Sequence, residues 1–492
     1  MTTIPDRGAV LLAVGSLLAA LTCGVAIAEL PSDAISQTSH WVLLAVLAAS
    51  ALALVVWAAR HDELLAPLGV LAMTMLFYFV VRPLELAMSA GELVGENYNY
   101  YATPLETINS ITGQEISLFV HTRMSGDFEA AMGRATLAVT LFFLLALAGY
   151  VLPVAGHLAE RAARIGSGMK HNLEVRWVVV AWLALGVLGQ ALILRTIGGL
   201  GVASTQLGTQ GNLASLDFSL LTMLNFYTAG LVMWISWHPP RGRGAQVALG
   251  LALFELSAFY MLLGSRTLVI VPVLLIGLAW SETIKPWRIR TLFVGAIVGL
   301  FFASAYLTLR EDTRNRPFSE AIKDVPANAL NARTILNSSP VFDQLFMETN
   351  FVPEQAPYRY GGELSQAVRG NLPGLLYEGK PESTDVTFRK LIWGDRFLAG
   401  RPTGAAGEFY RDFGFPGIVV GSLLFGIFAR GLSGLRARAG GEAGRPLRIA
   451  LFVVGLLLLY QVAIGSYSLV VGSALAIGIP LFLGLKVFAR SR

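Results

Sequence analysis

The chain has 492 residues, 54% of them apolar and only 14% charged, with a formal net charge of +5. Soluble domains carry roughly 25% charged residues, so the polar side chains cannot cover a water-soluble globule of this size. The composition implies a membrane protein and excludes a basic nucleic-acid-binding domain, because Lys and Arg fall between apolar runs instead of clustering. One cysteine, Cys23, excludes intrachain disulfides and multi-cysteine metal sites. The histidines stand singly (His40, His61, His121, His157, His171, His238), which speaks against a histidine metal centre; no cofactor and no metal are expected.

A hydrocarbon core of roughly 30 Å is crossed by about 20 helical residues, fewer where packing allows. Twelve apolar runs qualify: 8–30, 41–59, 64–82, 134–155, 177–196, 217–237, 245–264, 267–280, 291–309, 415–432, 449–467 and 470–487. The first, preceded only by Arg7, reads as a retained helix because eleven more follow. With the N-terminus in the cytoplasm, alternate connections hold 19 of the 37 basic residues on one side. The positive-inside bias then places both termini in the cytoplasm. The expected organisation is a membrane domain over 1–309, a large external loop over 310–414, and a second membrane domain over 415–492.

That loop is the one long polar stretch, with thirteen basic residues against fourteen acidic ones. Pro317, Pro326, Pro340, Pro353, Pro373, Pro381 and Pro402 punctuate it, and 319–336 and 363–376 read as short amphipathic helices over the membrane mouth. A second outer segment, about 83–133, carries Asn97, Tyr98, Asn99, Tyr100 and Tyr101. Such side chains suit sugar faces, and they equally suit an interfacial aromatic belt.

Five arginines lie on the outer side where orientation does not require them: Arg82, Arg123, Arg134, Arg195 and Arg266. Helical rise brings Arg82, Arg195 and Arg310 to the outer edge of the hydrocarbon. Arg266 follows a tight Gly264-Ser265 turn between two spans. An arginine within the bilayer costs at least roughly 2.5 to 3.5 kcal/mol. It is compensated either by an anionic ligand gripped bidentately, such as a pyrophosphate, or by snorkelling or pairing with Glu85, Glu311 or Asp312.

The end of the loop reads Gly400-Arg401-Pro402-Thr403-Gly404-Ala405-Ala406-Gly407-Glu408-Phe409-Tyr410-Arg411-Asp412-Phe413-Gly414-Phe415-Pro416-Gly417 and runs straight into span ten. Glu408 and Asp412 share a helix face at i,i+4 spacing. Together with Gly264 to Arg266, the span count and the single large outer loop, this motif resembles the bacterial O-antigen polymerases, the Wzy-type oligosaccharide repeat-unit polymerases. The resemblance covers the architecture of most of the chain.

It implies an all-α polytopic fold of the C type of glycosyltransferase, in the bacterial inner membrane, with one large periplasmic loop. It further implies an inverting polymerase that joins polyprenyl-pyrophosphate-linked oligosaccharides for O-antigen, capsule or exopolysaccharide, alongside a flippase and a chain-length regulator. On that reading Arg266 is the main pyrophosphate ligand, helped by Arg401, Arg310, Arg195 and Arg82. Glu408 orients or deprotonates the acceptor hydroxyl, with Asp412 second, and Tyr410 and Tyr98 contact glycan. Glu408 can equally be a helix N-terminal carboxylate paired with Arg401 or Arg411.

The related ligases are expected to use a histidine in the large loop, and 310–414 has none, although His121 lies in the other outer segment. A flippase or other transporter for lipid-linked glycan also fits twelve spans with cytoplasmic termini. Such folds usually split into two related halves, whereas the large loop here divides the spans nine and three. The run Gly198-Gly199-Leu200-Gly201 lacks the Gly-Lys-Ser/Thr ending of a phosphate-binding P-loop.

Overall fold

The computed structural model describes residues 37–61, 63–84, 128–166, 175–199, 218–263, 266–287, 291, 295, 341–354, 356–372, 381–384, 386–388, 402–436 and 444–490. Among these the only regular structure is helical. The helices are α1 (Gln37–Arg60), α2 (Pro67–Thr74, continued by a π-helical stretch Met75–Val81), α3 (Phe128–Val151), α4 (Pro153–Ala163) and α5 (Val175–Ile197). They continue as α6 (Phe218–Trp237), α7 (Arg243–Leu262), α8 (Arg266–Thr283), α9 (Val341–Phe351), α10 (Gly362–Asn371), α11 (Gly404–Leu435), α12 (Arg445–Ile464) and α13 (Tyr467–Arg490).

Among the described residues seven stretches are long and apolar enough to cross a membrane: Trp41–Arg60, Pro67–Leu84, Met132–Val151, Val175–Ile197, Arg243–Leu262, Gly404–Leu435 and Arg445–Ile464. Helices α6, α8 and α13 occupy three further expected spans. The expected spans 8–30 and 291–309 lie outside the described residues, apart from Thr291 and Gly295.

The chain divides into two compact units by packing, not by chain order. The first comprises Met1–Glu160, Pro340–Gly434 and Leu459–Val471. Its centre is α3, whose face from Met132 to Tyr150 is almost wholly buried. Helix α11 lies so close to α3 and α4 that side chains are excluded at the crossing. A Cβ on Gly149 would strike the backbone of Leu423, one on Gly426 that of Ala146, and one on Gly434 that of Ala159. Small residues at a helix crossing let backbones approach and dispersion contacts accumulate. Phe142 of α3 fills the remaining space against Phe409 and Phe425.

The second unit comprises Arg161–Ser339, Leu435–Leu458 and Gly472–Arg492. Its α5 and α6 pack through Gly186 on Tyr227 and Gly230 on Trp182, and the Trp182 indole donates to the Pro480 carbonyl at 3.0 Å. Basic residues that the sequence assigns to orientation also fasten chain ends here. Arg436 pairs with Glu282 at 2.9 Å, Arg445 donates to the Glu282 carbonyl at 3.3 Å, and buried Arg448 donates to the Ile165 carbonyl at 3.2 Å.

The α3–α11 crossing has a direct test. Gly426→Leu forces the two backbones apart and is expected to cost at least about 1 to 3 kcal/mol, read as a lower thermal midpoint of detergent-solubilised protein. Gly250→Leu, where an added Cβ meets nothing within 4 Å, should leave the midpoint unchanged.

Candidate functional site

The chemistry of the first unit gathers where α9, α10 and the start of α11 meet. Helix α9 is buried along all eleven residues although its sequence, Val341-Phe342-Asp343-Gln344-Leu345-Phe346-Met347-Glu348-Thr349-Asn350-Phe351, is nearly half polar. Polar groups are tolerated at such depth only when partnered. Arginines supply the partners. Arg82, just past the π-helical stretch, grips Asp343 with Nε at 3.1 and 3.2 Å from the two carboxylate oxygens and Nη2 at 3.0 Å from Oδ2. At the other end Arg134 donates from Nη2 to Asn350 Oδ1 at 3.1 Å and lies 3.7 Å from Glu354.

The middle of α9 faces Arg411. This guanidinium is 2% exposed and carries three carboxylates: Glu363 at 2.8 Å, Glu408 at 3.2 Å and Glu348 at 3.3 Å. Its flat face covers the Phe388 ring at 5.0 Å. A fourth carboxylate, Asp412, accepts the Glu363 amide at 3.1 Å and so caps the start of α10 from another helix. Thr384 donates to Glu408 at 3.4 Å, and Arg359 approaches Glu363 at 3.5 Å from the rim.

Two backbone devices position these groups. Gly407 stands where Glu348 passes, since an added Cβ would meet Glu348 Oε2 and the Thr403 side chain. Gly414, at φ 67° and ψ −153°, breaks α11 two residues before Pro416. Proline has no amide and glycine tolerates this backbone region, so the carbonyls of Arg411 and Asp412 are left to outside donors. The amides of Arg359 and Tyr360 take them, at 3.0 and 2.8 Å. The break ties the segment before α10 to the first turns of α11.

Four carboxylates around one fully buried guanidinium leave an excess of negative charge in a medium that disfavours it. Protons relieve the excess. Burial raises Glu348 from its ordinary 4.5 to about 7, against the opposing pull of Arg411. Burial also raises Glu363, with Arg411 and Arg359 pulling it down. A carboxyl poised near neutral pH is the state a general acid or base requires.

The structure thus unites some of the expected residues and separates others. Glu408 and Asp412 lie together, and Glu408 pairs with Arg411, one of the two partners that the sequence left open. Arg82 pairs with Asp343, a carboxylate that the sequence did not offer as its partner; Glu85, Glu311 and Asp312 lie outside the described residues. Tyr410 is buried and donates to the Val352 carbonyl at 3.1 Å. Arg195 is exposed near the end of α5, in the second unit. Arg266 opens α8 four residues after α7 ends, in keeping with the tight turn, and its side chain lies outside the described set. Arg310, Arg401 and Tyr98 lie outside the described residues.

Glu348, Glu363 and Asp343 were not singled out from the sequence, and Arg134 only for its place on the outer side. The one available signal was the pair of charges, Asp343 and Glu348, among the phenylalanine, leucine and methionine residues of 341–351, since charges are seldom buried without partners. Among the described residues no group of three or more histidine, cysteine or acidic side chains has the arrangement to hold a metal ion; the cation among the carboxylates is Arg411.

Two outcomes follow from the charge balance. Glu348 keeps its proton up to about pH 7 when folded and loses it near 4.5 when unfolded, so the folded state binds more protons in that window. Stability should therefore fall as pH rises from about 4.5 to 7, and Glu348→Gln should flatten that slope in thermal melts. Arg411→Met leaves the carboxylates without their cation and is expected to cost about 3 to 5 kcal/mol. Adding Glu348→Gln to Arg411→Met should recover part of the loss in the same assay.

Comparison with models of known protein families, with curated proteins and with solved structures gives no match to this chain, so the functional reading rests on its own residues and geometry.

Proposed function

We propose that the chain is a polysaccharide polymerase of the O-antigen polymerase kind, an inverting glycosyltransferase of the bacterial inner membrane with twelve spans and cytoplasmic termini. Its substrates are polyprenyl-pyrophosphate-linked oligosaccharides, joined on the periplasmic face. The observation that carries this reading is the buried carboxylate–arginine cluster at the head of α11, where the polar 310–414 stretch meets an apolar helix. It supplies acid–base groups at the edge of a membrane segment, where a lipid-linked sugar presents its reacting end. The tight α7–α8 connection supports a second element, a helix-initial Arg266 between two apolar helices.

In this reaction an acceptor hydroxyl attacks the anomeric carbon of the donor sugar and its proton passes to a carboxylate. The bond from that carbon to the pyrophosphate breaks, and the electron pair leaves with the pyrophosphate. Arg266 stabilises the charge that develops there, work that needs no nucleotide. Glu408 is the proton acceptor in this reading. It is 1% exposed in the state described, so substrate entry includes an opening of the cluster.

A second reading draws on Glu348. Buried carboxyls that change protonation near neutral pH are the working parts of proton-coupled carriers, and a flippase for lipid-linked glycan would use them so.

Purified protein given lipid-linked repeat units, without nucleotide sugar, should lengthen the lipid-borne glycan. Glu408→Gln should slow extension by about 100-fold or more, and Arg266→Ala by a similar factor, with membrane insertion unchanged. Absence of lengthening under these conditions overturns the polymerase. Proton-driven translocation of the same lipid across vesicles, without lengthening, supports the carrier instead.

A further inference from the structure

Helix α10 has two contrasting faces. Inward, Glu363 holds Arg411, and Gln366 donates to the Glu382 carbonyl at 2.9 Å and to Thr387 at 2.6 Å. Asn371 at its end reaches the Ser468 carbonyl at 2.9 Å. Outward, α10 exposes Leu364 and Val368 along one edge and Ser365 and Arg369 beside them. Leu364 is 52% exposed, Val368 42%, Tyr360 in the preceding turn 73%, and Phe413 of α11 47%. Tyr360 and Phe413 touch, with ring centroids 6.3 Å apart. Tyr360 holds a left-handed φ of 48°, followed by Gly361 at φ 85°. A non-glycine residue there carries a steric cost. That cost places a large aromatic ring in the open beside another.

This patch does not end at α10. Past the break at Gly414, Pro416, Val420, Leu424 and Phe428 are all exposed and succeed one another every four residues, forming one stripe down the apolar part of α11. Phe413 lies against Gly417 at the upper end of that stripe and touches Tyr360, in the turn that leads into α10. Tyrosine and phenylalanine mark its top, as in the aromatic belts of membrane–water boundaries. Exposed Arg369 stands next to Val368 on the polar side of α10, where its stem can lie along apolar surface while the guanidinium reaches anionic headgroups.

We propose that α10 is an interfacial helix whose Tyr360–Leu364–Val368–Phe413 face is seated in the headgroup–acyl boundary of the bilayer. The occupant of this face is lipid. The same helix that supplies Glu363 to the carboxylate cluster then holds that cluster at the membrane surface, and the side from which α10 closes it is the lipid side. This inference requires only that α11 spans the bilayer, and it is independent of the glycan chemistry proposed above.

The test uses the full-length protein with Cys23→Ser and a single new thiol at Leu364→Cys or Val368→Cys, labelled with an environment-sensitive fluorophore. Glu354→Cys, at a position 62% exposed, is the water-facing reference. The proteins are reconstituted in phosphatidylethanolamine–phosphatidylglycerol vesicles carrying lipids spin-labelled near the headgroup. Both α10 labels should emit at shorter wavelength than the reference and be quenched several-fold more strongly by the labelled lipid. Quenching equal to the reference overturns the proposal. So does a blue shift without lipid quenching, which identifies a protein surface such as a second copy as the occupant. Having the label at two exposed positions separates local misfolding from a wrong assignment, and folded yield by gel filtration must match the parent.

Discussion

One buried guanidinium organises the first unit. Arg411 draws Glu348 from α9, Glu363 from α10 and Glu408 from its own helix onto a single positive charge, and so ties three helices together. Each carboxylate loses hydration on entering, and the attraction to Arg411 repays that only in part. The residual imbalance is held as protons, foremost on Glu348. The packing of these helices and their proton content are therefore one problem. An apolar replacement of the whole cluster could be as stable, so the retention of charge points to use.

The same economy extends along α9. Arg82 secures its first turn, Arg411 its middle and Arg134 its last turn. Two of these are among the arginines that topology did not require on the outer side. Their compensation lies within the chain, because burying a helix with Asp343 and Glu348 creates a demand for cations that solvent cannot meet.

Much of the fold was legible because the bilayer imposes a length on apolar runs. The helices α1, α3, α5 and α7 fall on expected spans, with bounds shifted by a few residues. The pairing of Glu408 with Arg411 was also visible, since both sit within one turn of one helix. What could not be read were contacts between distant segments. Arg82 and Asp343 are 261 residues apart, and no local pattern points from one to the other. The break at Gly414 and Pro416 was visible as composition, but its use was not. Which donors take the freed carbonyls depends on a segment more than fifty residues upstream.

Those two carbonyls have a dynamic consequence. The amides of Arg359 and Tyr360 and the capping of Glu363 by Asp412 join α10 to α11 by backbone as well as by charge. Lifting α10 would break all of these at once and bring water to Arg411. The segment therefore has the makings of a single cooperative opening unit, in which amide hydrogen exchange at 359, 360 and 363 would share one rate. Because Glu348, Glu363 and Asp412 share the charge around Arg411, the stability of that closed unit would vary with pH beyond the pH dependence that hydroxide catalysis gives amide exchange by itself.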